Sequence, residues 1–146
     1  MNRLFLILVL FLSIGLSRRT VVKLATLAPE GTEWHGMLIE MGQEWKKKSK
    51  KSVHLRVYPG GVIGDERDMV RKMRIGQIHA AAITTEGLSE IVPDFSAYYV
   101  PLAFQNSEDV MSVTEALLPS LEKQLDEQGF KLLHIGELGW AYWFTS

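Results

Sequence analysis

Residues 53–84, VHLRVYPGGVIGDERDMVRKMRIGQIHAAAIT, constrain the fold more than any other stretch of this chain. Val53, His54, Leu55, Arg56, Val57 and Tyr58 alternate in the period of a strand with one covered face. Pro59-Gly60-Gly61 then turns the chain, because proline fixes φ and glycine accepts positive φ. Asp65 is placed to cap a helix, with Glu66 and Asp68 in its favourable first turn. Met69, Val70 and Met73 form the buried face of that helix, and Gly76 closes it. Residues 78–84 are small and apolar, with no charge beyond what His79 can take, which reads as a strand buried on both faces. The stretch spells one complete β-α-β unit.

Its flanks continue the same alternation. Thr20–Thr26, TVVKLAT, reads as a strand, broken by residues 27–31, after which Thr32 caps a helix. Trp34, Met37, Leu38, Met41 and Trp45 recur at helical spacing, a stripe expected in the core. Lys46, Lys47 and Lys48 end that helix where the macrodipole favours cations. Residues 85–90 read as a polar, turn-rich loop, and Phe95, Tyr98 and Tyr99 form an aromatic segment between two prolines. Ser107 is placed to cap a helix whose apolar side carries Val110, Met111, Thr114, Leu117, Leu118, Leu121 and Leu125. Pro119 inside it predicts a kink or two shorter helices. Gly129 ends it, residues 130–135 read as another strand, and residues 140–144 form a strand-like aromatic run. The fold class is α/β: a mostly parallel sheet of about four or five strands, flanked by helices.

The length of 146 residues fits one domain with a proper core. A net charge of −1 draws no nucleic acid, and the absence of cysteine leaves no disulfide or thiol nucleophile. Residues 1–19 have the layout of a secretory signal peptide: Met1-Asn2-Arg3, then an apolar run through Leu12, then Arg18-Arg19. An uncleaved N-terminal anchor is the alternative; either way the remainder is exported, which points to the periplasm.

Catalytic patterns do not emerge. The glycine loop lacks the lysine and hydroxyl of a phosphate cradle, and no G-x-S-x-G elbow or H-E-x-x-H pair occurs. His35 reads as a boundary residue, and His54, His79 and His134 as satisfied sheet histidines. No metal or cofactor is read from these residues. Open α/β sheets bind ligands at the carboxyl ends of their strands. That rule singles out Glu86, just past residues 78–84, against the alternative of a solvated glutamate beside a helix cap. It also places Thr26 and Leu27 at the cleft edge. Trp140 and Tyr142 share one face of the last aromatic run.

LATLAPEGTEWH at residues 24–35, YPGGVIGDE at 58–66, MVRKMRIGQ at 69–77 and VPLAF at 100–104 resemble the DctP-like solute-binding proteins of tripartite ATP-independent periplasmic (TRAP) transporters. The resemblance implies a non-enzymatic, Venus-flytrap protein that captures a small organic acid and hands it to TRAP membrane subunits. It identifies residues 20–146 as an N-terminal lobe with the second lobe absent. Thr85 joins Glu86 as a carried-over contact. Leu27 stands where relatives often have a polar residue, and Ala141, Tyr142 and Trp143 stand where some have an arginine. Those departures imply a solute, or a binding mode, unlike that of sialic-acid members. The competing readings are a small exported α/β enzyme and an inert truncated fragment.

Overall fold

A computed structural model of the chain describes residues 19–137 and Gly139. Residues 1–18 of the leader read at 1–19, and the aromatic run with Trp140 and Tyr142, lie outside the described residues. The chain forms two compact units, one ending at Ile83 and one beginning at Thr84.

The first unit holds β1 (Thr20–Thr26), α1 (Glu33–Lys48), β2 (Val53–Tyr58), α2 (Glu66–Arg74) and β3 (Ala80–Ala82). The strands form a parallel sheet in the order β2-β1-β3, so α2 carries the chain from one edge, across β1, to the other. Register places Ala25 opposite Tyr58 on one side and Ala81 on the other, and directly paired residues share a face. That face is the one α2 covers: Ala25, Met69 and Ile78 form its core, with Ile63, Met73, Ala81 and Ile83 packed around them. Leu24 and Thr26 point to the opposite face and are also buried. Both helix starts form as their sequences dictate. Thr32 Oγ1 accepts from the His35 amide, and Asp65 Oδ1 accepts from the Asp68 amide at 2.8 Å.

Two features of this unit differ from expectation. No residue of α1 is fully buried, and Trp34 and Met37 are 46% and 45% exposed. The helix meets β2 through Leu38 and Gly42, with Gly42 lying directly against Leu55. Trp34 and Met37 sit on an adjacent flank, so spacing located an apolar stripe but not the part of it that is covered. β3 is three residues long, shorter than residues 78–84, and its residues are half-buried or exposed. His79 explains its late start: its N–H donates to the Lys23 carbonyl at 2.9 Å, while its Nδ1 accepts the Lys23 N–H at 3.0 Å. A side chain there takes the place of a ladder carbonyl.

The second unit holds α3 (Thr85–Ser89), a 3-10 segment (Pro93–Tyr99) and α4 (Ser107–Glu127). Residues 85–89 are thus a short helix rather than a loop, capped by Thr84, whose Oγ1 accepts from the Gly87 amide. Phe95, Val92, Leu121 and Leu125 are its largest fully buried side chains. Gln124 Nε2 donates to Asp94 Oδ2 at 2.9 Å, tying α4 to the 3-10 segment. Asn106, one residue earlier than expected, caps α4 by accepting from the Asp109 amide. Pro119 neither breaks nor divides this helix. The proline removes one intrahelical donor, at a cost of about 3 kcal/mol, and burial of Leu121 and Leu125, farther along the same helix, offsets it. Residues 130–135 form no strand, so the sheet among the described residues has three strands rather than four or five. Alternation supplies the side-chain pattern of a strand, but a strand also needs a ladder partner.

Candidate functional site

The carboxyl ends of β1 and β2 are stitched to each other. The Gly61 N–H donates to the Thr26 carbonyl at 3.1 Å, and the Gly60 N–H donates to the Ala28 carbonyl at 2.9 Å. Thr26 is 4% exposed, and its Oγ1 accepts from the Ala28 amide at 3.1 Å. Gly61 has φ +70, and a Cβ there would lie 3.3 Å from Leu27 Cδ2. Gly61 therefore lets the two loops approach, while Gly60 supplies the positive φ of the turn. Both glycine amides are committed to carbonyls rather than turned outward to cradle a phosphate.

The loop between β1 and α1 is closed in the same manner. Thr32 Oγ1 donates to the Pro29 carbonyl at 2.8 Å, and His35 Nδ1 accepts from the Gly31 amide at 3.2 Å. His35 is a loop clasp, a role that its position beside Trp34 did not announce. What this end of the first unit still presents is Leu27, 44% exposed and apolar.

The second unit opens differently. Thr85 is half-buried and Glu86 exposed in the first turn of α3. The Glu86 carbonyl accepts from Ser89 Oγ at 2.6 Å, and Ser89 Oγ accepts from the Tyr99 hydroxyl at 2.9 Å. Those bonds fix the backbone under Glu86. Its carboxylate has no hydrogen-bond or ion-pair partner among the described residues. An ionised carboxylate is an acceptor only, suited to hydroxyl or N–H donors.

The six residues singled out from sequence thus fall into three sets. Thr26 and Leu27 are adjacent at the end of β1, and Thr85 and Glu86 are adjacent on α3. Trp140 and Tyr142 are outside the described residues. Among the described residues, no group of three or more histidines or carboxylates comes together to hold a metal ion. No helix among them is long and apolar enough to cross a membrane.

Comparison with known proteins places this architecture. A solute-binding protein of Roseobacter denitrificans is 26% identical over 112 residues, which are 77% of this chain and 34% of that protein. Its crystal structure as a TRAP periplasmic solute-binding protein with bound L-galactonate superposes with a TM-score of 0.66 at 25% identity, covering 75% of this chain and 37% of that one. A TRAP periplasmic solute-binding protein of Haemophilus influenzae with bound L-gulonate shares the fold, with a TM-score of 0.69 at 23% identity, covering 80% and 38%. The chain spans about a third of the length of the curated relatives it matches. Residues 24–146 match the DctP family, described as bacterial extracellular solute-binding protein, family 7. The chain belongs to the DctP family of solute-binding proteins of TRAP transporters.

Proposed function

We propose that this chain supplies the N-terminal lobe of a solute site that captures a small hydroxylated organic acid for a TRAP-type secondary transporter. In this reading residues 1–19 export the chain to the periplasm, residues 20–146 form the lobe, and the partners are the TRAP membrane subunits. Capture involves no catalysis. The observation that carries the proposal is the Roseobacter denitrificans relative, which holds L-galactonate on the same fold.

The chemistry of Glu86 fits such a solute. A sugar acid presents one carboxylate and a row of hydroxyls. Glu86 would repel the carboxylate and accept from the hydroxyls, so it takes the polyhydroxy end. Thr85 offers a hydroxyl and Leu27 an apolar wall, Thr26 holds the loop that carries Leu27 through its bond with the Ala28 amide, and Trp140 and Tyr142 would give aromatic surface for the C–H faces of the carbon chain. None of these six side chains is a cation. The carboxylate partner is therefore assigned to the other lobe, and one lobe alone binds weakly because it supplies part of the contacts and no closure.

Calorimetric titration of the 146-residue chain with L-galactonate and L-gulonate tests this. The expected result is binding in the millimolar range, about −4 kcal/mol, weakened by Glu86→Gln. Micromolar binding by this chain alone would sink the half-site reading. Equal binding by the Glu86→Gln variant would remove Glu86 from the site.

A further inference from the structure

A groove of about 470 Å3 opens in the first unit between the sheet and the crossover carrying α2. Lys23 and Tyr58 bound it from the sheet, and Val62, Ile63, Lys72 and Ile78 from the crossover. Its size falls within the range of small-molecule sites. Its charge is unusual. Lys23 lies on the central strand, half-buried, on the face that α2 covers. Among the described residues its ammonium meets the Gln77 carbonyl, at 3.4 Å. The Lys72 ammonium meets the Ile63 carbonyl. An ammonium carries three donors, so each lysine has donors to spare. Neither pairs with a carboxylate among the described residues, whereas Arg71 and Lys48, more exposed, do. Outside the groove lining, the exposed Arg56 sits 5.0 Å from the centre of the Tyr58 ring. Lys23 and Lys72 thus bring two positive charges without a counter-charge among the described residues to a groove whose other walls, Val62, Ile63 and Ile78, are apolar.

We propose that this groove binds a small organic anion with an apolar body, such as an arylacetate or branched aliphatic monocarboxylate. Lys23 and Lys72 take the carboxylate, while Ile63, Ile78 and the Tyr58 ring take the hydrocarbon. The site is chemically the inverse of the one proposed at Glu86. There an anion accepts from hydroxyls; here cations accept nothing and reward negative charge beside hydrocarbon. An auxiliary anion seated on α2 would bridge the crossover to β1 and stabilise the first unit by linkage.

The test follows backbone amide resonances of the full chain during titration with phenylacetate. Saturable shifts are expected at Val62, Gln77 and Ile78, and none with 2-phenylethanol, which has the same ring without the charge. Inorganic phosphate should bind more weakly than phenylacetate. Replacing both lysines (Lys23→Gln with Lys72→Gln) should weaken phenylacetate about tenfold or more, the loss of charge-assisted hydrogen bonds, while Lys72→Arg retains binding. Absence of saturable shifts with phenylacetate overturns the proposal, as does an equal response to 2-phenylethanol or to phosphate. Unchanged affinity in the double variant does the same. If the double variant does not fold, the three-ligand comparison on the unaltered chain decides alone.

Discussion

The turn at residues 59–61 and the start of α3 make opposite use of their polar groups. The turn is the more conspicuous in sequence, a Pro-Gly-Gly between a strand and a capped helix. Yet its two glycine amides are spent on the Ala28 and Thr26 carbonyls, and Thr26 Oγ1 is spent on Ala28. At α3 the backbone is satisfied by its own cap and by Ser89, and the Glu86 carboxylate is left over. A polar group consumed within the fold stabilises it; one left over is available to a ligand. Conspicuous glycine chemistry here signals the first case.

Substitutions in the crossover should therefore cost stability, with the largest loss at Gly64. Its φ of +119 lies where L residues are strained, and an added Cβ would come within 2.6 Å of Asp68 Cβ, in the first turn of α2. Gly64→Ala is expected to cost about 3 kcal/mol in chemical denaturation, combining strain and overpacking. At Gly61 the left-handed conformation is milder and the nearest contact is the flexible end of Leu27. Gly61→Ala should cost about 1–2 kcal/mol. A loss at Gly61 equal to or above that at Gly64 would show that the stitched loops, rather than the entry to α2, control the first unit.

A smaller loss is expected at His79. Its ring takes the Lys23 N–H, so His79→Phe leaves that donor without its acceptor at about 1–2 kcal/mol. Hydrogen exchange at the Lys23 amide should rise more than at Leu24, whose neighbours in the ladder are untouched. His79→Asn, which keeps a side-chain acceptor at similar reach, should recover part of the protection. Equal exchange in the phenylalanine variant would mean that the ladder closes without the imidazole.

Much of this fold is legible in the sequence, for reasons that are local. The caps at Thr32 and Asp65 need only a side-chain oxygen and the amide three residues on. The buried pair Met69 and Val70 follows from helical spacing. Features that depend on a partner distant in sequence were not legible. Whether residues 130–135 pair, and which flank of α1 meets β2, are decided by neighbours that periodicity does not name. The His79 acceptor is a contact across 56 residues, invisible to any local rule. Pro119 shows the converse: a strong local rule overridden by burial elsewhere on the same helix. At the candidate site, Glu86 was visible as a charge after a strand, but its lack of a partner required the structure.

The smallest expected stability effect belongs to Glu86→Gln, and it bears most directly on function. The side chain is exposed, pairs with nothing among the described residues, and leaves the Thr84 cap and the Ser89 bond to its carbonyl untouched. A negative charge in the first turn of a helix is worth a few tenths of a kcal/mol, so the change should stay below about 0.5 kcal/mol. Affinity for a hydroxylated acid should nevertheless fall, because an amide oxygen accepts more weakly than a carboxylate and its NH2 offers no acceptor at all. The two measurements separate the meanings of an unpaired carboxylate. A fall in stability of 1 kcal/mol or more would show that Glu86 serves the fold through its helix. Unchanged stability with weakened binding marks a residue held in reserve for the solute.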